Sequence, residues 1–255
     1  MRQRTLHRSM IFPHNSLYMD NPETVLIIPD THGLSFWKEA VSNSKAGKII
    51  FLGDYVDPYE TIAWYEVFRR LSDIIQFKRE QRERVTLLWG NHDLAYLHLS
   101  PRGSRYDFIA ADGYLSLLME TRDCFQMADE VTIGDKRFLF SHAGVNRKWI
   151  LANEKVFGGL EVNAVTLNDL DNHNFIEALS NVSCRRGGVC EAGSMIWADC
   201  HEFENPDSDI PGYIQIFGHT RQGNGEIWHN SRQTAYCLDC EKAFILDAYG
   251  IYAAE

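Results

Sequence analysis

The chain has 255 residues, 45% of them hydrophobic and 24% charged, the balance of a folded globular chain rather than a disordered one. Its net charge of −10 disfavours nucleic acid as a partner, because a phosphate-backbone surface concentrates Lys and Arg. It leaves room for a phosphorylated small substrate, since bound divalent cations reverse the local potential wherever carboxylates cluster. No apolar run is long enough to span a membrane. The six cysteines, at 124, 184, 190, 200, 237 and 240, are too scattered for a disulfide framework and read as thiols of a reducing, cytoplasmic compartment.

In chain order, residues 1–20 carry Arg2, Arg4 and Arg8, but Pro13, His14, Asn15 and Ser16 interrupt the apolar stretch that a signal peptide needs. An N-terminal arm followed by one domain over 21–255 is expected. Val25–Ile28, Lys48–Leu52 and Val85–Trp89 are apolar runs of buried-strand type. Between the last two, Ile62, Tyr65, Phe68, Leu71 and Ile75 recur at three- and four-residue steps, which predicts a helix with one apolar face. Lys78, Arg79 and Arg82 suit its C-terminal end. Strand, helix, strand in this order predicts a parallel sheet.

Further strands are expected at Phe138–Phe140, Tyr213–Phe217, Glu226–Trp228, Ala235–Leu238 and Ala243–Leu246, the later ones as antiparallel hairpins. Two sheets packed face to face and flanked by helices accommodate all of them. Residues 153–193 are the least patterned, with a helix expected near Leu170–Leu179 and a Gly-rich loop at Arg185–Gly188. Trp64 and Trp89 fall in helix and strand patterns and are expected in the core. Cys237 and Cys240 have zinc-knuckle spacing, but they sit in a strand pattern without a second pair, so buried thiols are the better expectation.

The residues just past each strand are more informative. The apolar runs end in Asp30-Thr-His32-Gly33, Gly53-Asp54-Tyr-Val-Asp57, Gly90-Asn91-His92-Asp93, Ser141-His142-Ala-Gly144 and Gly218-His219-Thr220. Any one of these is an ordinary turn. Five in order, each at a strand C-terminus, place metal-competent side chains where open α/β sheets bind ligands. Carboxylate, imidazole and amide oxygen without thiolate suit Mn, Fe, Zn, Ni or Co.

These blocks resemble the signature of the calcineurin-like metallophosphoesterase superfamily. Gly53–Asp57 and Ile196-Trp-Ala-Asp199 are most similar to its phosphoprotein phosphatase branch and the bacterial and phage relatives of that branch. The resemblance implies an α/β fold, an αββα four-layer sandwich of two mixed sheets flanked by helices. It implies two divalent ions, manganese first among them, with Asp30, His32 and Asp54 at the first and Asp54, Asn91, His142 and His219 at the second. It also implies His92 as general acid, oriented by Asp57.

Two departures stand out. Relatives of the phosphatase branch carry an arginine directly after the second aspartate of the Gly-Asp block, whereas Pro58 and Tyr59 follow Asp57 here. Arg186, then Arg221, and less so Arg147, are the candidates to bind phosphate instead. The block Gly218-His219-Thr220-Arg221 also lacks the second histidine of many superfamily phosphodiesterases, and arginine offers no lone pair to a metal. A more open first metal position is implied. Tyr55 and Tyr59 are candidates for the site mouth, and loops 58–62, 98–106 and 180–193 for substrate choice.

The leading expectation is hydrolysis of a phosphomonoester on a protein or a small molecule. Cleavage of a dinucleoside polyphosphate is the alternative. A non-catalytic scaffold is disfavoured because His92 and every expected ligand are present.

Overall fold

The computed structural model describes residues 21–169 and 173–254; the expected arm over 1–20 and the first residues of the expected 170–179 helix lie outside them. The strands are β1 (Asn21–Ile28), β2 (Ala46–Phe51), β3 (Val85–Leu88), β4 (Phe125–Gln126), β5 (Ala128–Ile133), β6 (Lys136–Ser141), β7 (Ile214–Phe217), β8 (Trp228–His229), β9 (Ala235–Cys237), β10 (Phe244–Asp247) and β11 (Gly250–Ala253). The helices are α1 (Phe36–Asn43), α2 (Trp64–Gln81), α3 (Asn91–Tyr96), α4 (Ala111–Glu120), α5 (Arg147–Ala152), α6 (Glu154–Phe157), α7 (Ala164–Asn168) and α8 (His173–Leu179).

Two mixed sheets form, ordered β11-β10-β1-β2-β3-β4 and β5-β6-β7-β9-β8. The sequence explains why they stack. Val25 and Ile27 of β1 join Ile50, Leu88, Phe138, Phe140, Ile216 and Phe244 in a core between the sheets. Leu26 and Ile28, pointing the other way, join Val67, Leu71 and Ile74 of α2. A strand buried on both faces needs an unbroken apolar run, and β1 supplies it.

β1, β2 and β3 run parallel, as do β6 and β7, so their C-terminal ends meet along one edge. That edge carries the five motif loops. No described helix is long and apolar enough to cross a membrane.

Some expectations are corrected. Of the C-terminal strands, β8 and β9 do pair antiparallel, but β9 runs parallel to β7. β10 crosses to the other sheet, antiparallel to β1. The segment 238–243 therefore bridges the two sheets at the motif edge. Trp64 is not core: it opens α2 and is 42% exposed. Trp89 is buried and stacks on Phe125. Tyr55 is also buried, donating its hydroxyl to the Leu88 carbonyl at 2.9 Å, so it does not line the site mouth. The cysteines are free thiols, and Cys237 donates its Sγ–H to the Gly218 carbonyl at 3.0 Å.

Candidate active site

The motif residues converge. Asp30, His32 and Asp54 form one group whose ligand atoms lie within 4.8 Å of one another, and Asp54, His142 and His219 form a second; Asp54 is common to both. Asn91 joins the second, its Oδ1 3.0 Å from His142 Nε2. All six are buried.

Backbone groups orient these side chains. His32 Nδ1 donates to the Val56 carbonyl and His142 Nδ1 to the Leu52 carbonyl, each at 2.8 Å. Both rings therefore present Nε2 to the site, the arrangement that raises the basicity of a metal-binding imidazole. The backbone N–H of His219 donates to Asp30 at 3.0 Å, and that of His92 to Asp54 Oδ1 at 2.9 Å. His32, Asp54, Asp57 and His219 all adopt positive φ, a conformation costly for non-glycine residues that clusters at functional sites. Gly90 and Gly218 permit the closest approaches: a Cβ there would stand 2.1 Å from Asp54 Oδ1 and 1.9 Å from Asp30 Oδ1.

Asp93 ties two of the loops together. Its carboxylate accepts from the backbone N–H of Asp54 (2.9 Å), Tyr55 (3.0 Å) and Gly90 (3.0 Å). Burial and the Asp54 charge push it up to about 7, while the three donors favour the ionised form. Asp93→Asn replaces one acceptor with an NH2 facing an N–H donor. It should cost roughly 2–3 kcal/mol of stability, read by chemical denaturation above neutral pH. Unchanged stability would mean that the carboxylate does not hold the loops.

The electrostatics call for positive charge. Burial, then the Asp239 charge, hold Asp30 well above the usual carboxylate range. Burial opposes ionisation of Asp54 too, but the charges of His142 and His92 hold it well below that range. Despite burial, His142 is raised to about 10 by Asp54 and Asp30. Burial lowers His32 to about 4 and, with the His142 charge, drives His219 well down. The buried Nε2 of His219 has no hydrogen-bond partner. A mixed nitrogen and oxygen donor set around buried carboxylates, with His219 Nδ1 3.1 Å from His142 Nε2, fits divalent cations.

Beside the two groups lies a cavity of about 520 Å³, whose lining includes Asp54, Asn91, His92, Arg105, Arg186 and His219. His92 enters it with Nδ1 held 2.6 Å from Asp57 Oδ2. Asp57 also accepts from the Tyr96 hydroxyl. Burial opposes charge on His92, but Asp54 and the Asp57 hydrogen bond raise it above its ordinary value.

Arg105 is the residue that motif reading missed. Its Nε donates to the Asp57 carbonyl at 2.9 Å, and Nη2 stands 3.5 Å from His32 Nε2 and 3.4 Å from His92 Nε2. Its guanidinium lies 3.6 Å over the Tyr59 ring. It comes from loop 98–106, which the sequence marked only as a whole for substrate choice, and the expected arginine absent after Asp57 was the other signal. Of the arginines proposed from the sequence, Arg186 does line the cavity, 3.4 Å from the His219 carbonyl and 3.8 Å from Asp199. Arg221 does not line it. Its guanidinium pairs with Glu241 and lies 4.4 Å from the centre of the Tyr59 ring. Arg147 is exposed at the start of α5. Tyr59 lines the cavity and is 42% exposed.

Parallel strand ends that deliver carboxylates and imidazoles to a polar cavity fit a metal-dependent hydrolase, and comparison with known proteins gives the class, a metal-dependent phosphoric ester hydrolase. The profile of the calcineurin-like phosphoesterases matches residues 23–242. This chain belongs to that family. A search of curated proteins finds no match.

Among solved structures, the fold is similar to a mutant cold-active protein tyrosine phosphatase (15% identity, 92% of this chain and 81% of that one, TM-score 0.56). It is also similar to the cold-active protein-tyrosine phosphatase of a psychrophilic Shewanella species (13%, 92% and 81%, 0.53). A protein serine/threonine phosphatase from Saccharomyces cerevisiae is a third (13%, 92% and 80%, 0.53).

Proposed function

We propose that the protein hydrolyses a phosphomonoester, with residues 21–255 as the catalytic unit. The observation that carries the reading is that Asp54, the residue the two Asp/His groups share, lines the same cavity as Asn91, His219, Arg105 and His92, whose Nδ1 is held by Asp57. Asp30, His32 and Asp54 would hold one divalent ion and Asp54, Asn91, His142 and His219 another, manganese being the first choice; bound there, they would supply charge neutralisation for the phosphate and a lowered pKa for water. The chain's own residues do the rest. Arg105 and Arg186 take the phosphate oxygens, where a guanidinium fork offers paired donors. Asp57 keeps the His92 proton on Nδ1 and favours imidazolium, so Nε2 can deliver a proton to the leaving oxygen.

A second reading, cleavage of a polyphosphate, draws on Arg102 and Arg185, which line the same cavity. Four guanidinium groups on one cavity of a chain with net charge −10 are more than a single phosphate engages.

Metal-stripped protein, reconstituted in turn with Mn, Ni, Zn and Mg, should hydrolyse p-nitrophenyl phosphate faster than bis-p-nitrophenyl phosphate or diadenosine tetraphosphate. Preference for the tetraphosphate would move the assignment to the second reading. No turnover with any metal would overturn both. Arg105→Ala should lower kcat/KM by ~10²–10³-fold, the usual loss for one donor to a developing charge, with metal content unchanged. Arg105→Lys should recover only part of it. A wild-type kcat/KM in Arg105→Ala would remove Arg105 from the site.

A further inference from the structure

Asp239 is a buried acid that the proposed chemistry does not use. It lies on the segment that carries the chain from β9 in one sheet to β10 in the other. Hydrogen bonds pin that segment to the strand end bearing His219: Leu238 N donates to the Phe217 carbonyl at 2.8 Å, and Gln222 N to the carbonyl of Asp239 itself at 2.8 Å. The side chain is 1% exposed, and its Oδ2 has no hydrogen-bond partner.

A carboxylate oxygen buried without a partner is costly, so its surroundings should indicate what it serves. Asp239 shares with Asp30, His32, Tyr59 and Glu241 a pocket with about 10 Å³ of free space, close to what one water molecule requires. His142 and Arg221 lend it positive charge through space, but no cation hydrogen-bonds to Oδ2. Asp30 is another acid, His32 has its Nδ1–H committed to Val56, and Arg221 is paired with Glu241.

Asp239 does not belong to the set of ligand atoms within 4.8 Å that Asp30, His32 and Asp54 form, so it is not placed to bind the same ion directly. That position also has only three donors, against the four of Asp54, Asn91, His142 and His219. Hard divalent cations with few protein ligands keep water in their coordination shell.

We propose that Asp239 is a further acidic group of the first cation position, accepting a hydrogen bond from water on the divalent ion held by Asp30, His32 and Asp54. This rests on the reading that the two Asp/His groups bind metal. It gives that position a fourth protein partner from a segment with no ligand motif. Groups one shell out from a metal typically contribute 10–100-fold in affinity.

The experiment is titration of chelator-treated full-length protein with Mn(II), followed by calorimetry and electron paramagnetic resonance. Wild type, Asp239→Asn and Asp239→Ala are compared, and thermal melting is recorded with and without the metal. Wild type should bind two ions. Both variants should bind one of them about 10–100-fold more weakly and leave the other unchanged. Metal-free variants should melt no lower than wild type, because an unpartnered buried charge has been removed, yet gain less from Mn(II).

Variants that bind both ions as wild type does overturn the proposal, and lower metal-free melting with unchanged binding would mark Asp239 as structural. A wild-type protein that binds no divalent ion overturns the metal reading itself and the proposal with it.

Discussion

Asp54→Asn should abolish tight divalent-ion binding at both positions and take hydrolysis down by ~10³-fold or more. Asp54 is the one residue common to both Asp/His groups. Its Oδ2 lies 3.4 Å from His142 Nε2 and 3.8 Å from His32 Nε2, while Oδ1 accepts the His92 N–H. Asparagine keeps the shape and removes the charge, and its NH2 group faces either the His92 N–H or the imidazoles. Breaking a buried charge interaction costs roughly 3–5 kcal/mol, which corresponds to ~10²–10⁴ in a binding constant. Here the loss falls on two ions at once. Calorimetric titration with Mn(II) and metal analysis of the purified variant are the direct measurements. Retention of both ions at wild-type affinity would show that Asp54 does not link them.

The legibility of this site depends on what a sequence pattern can encode. A strand buried on both faces must be an apolar run, and the residues just past it must be polar where chain ends meet a cavity. Asp30, Asp54, Asn91, His142 and His219 therefore stood out by position as well as type. Arg105 did not. Its placement depends on loop 98–106 folding back so closely that a Cβ on Gly103 would come within 2.7 Å of His92 Cε1. No local period reports a contact of that kind.

Asp239 was hidden for a related reason. It sits inside a Cys-x-x-Cys spacing that drew attention to the thiols, and its burial arises only because β9 and β10 belong to different sheets. The same crossing defeated the expectation of successive hairpins, since alternation fixes which face is buried and not which strand is the neighbour. β5 escaped notice because Asp129, Glu130 and Thr132 break its apolar pattern at a sheet edge, where charge guards against further pairing. Trp64 was misplaced because it is the first residue of α2, whose buried positions begin only at Val67; Tyr65 beside it is exposed as well.

His92→Ala should lower kcat by ~10²–10⁴-fold, the range for loss of a positioned proton donor, with Mn(II) affinity within a factor of about two. The separation of the two effects is what the geometry requires. The His92 side chain belongs to neither Asp/His group, and its Nδ1 is occupied by Asp57 at 2.6 Å. Only Nε2 remains to meet a substrate. The loss should depend on the leaving group: an alkyl phosphate, whose departing alkoxide needs the proton, should suffer far more than p-nitrophenyl phosphate, whose phenolate leaves without help. Asp57→Asn should show the same dependence in weaker form, because Asp54 still raises His92 while the hydrogen bond and charge of Asp57 are lost and the imidazole stays in place. Equal losses for the aryl and alkyl esters would mean that His92 positions the phosphate, through Arg105 and the loop above it, and that the proton reaches the leaving oxygen from elsewhere.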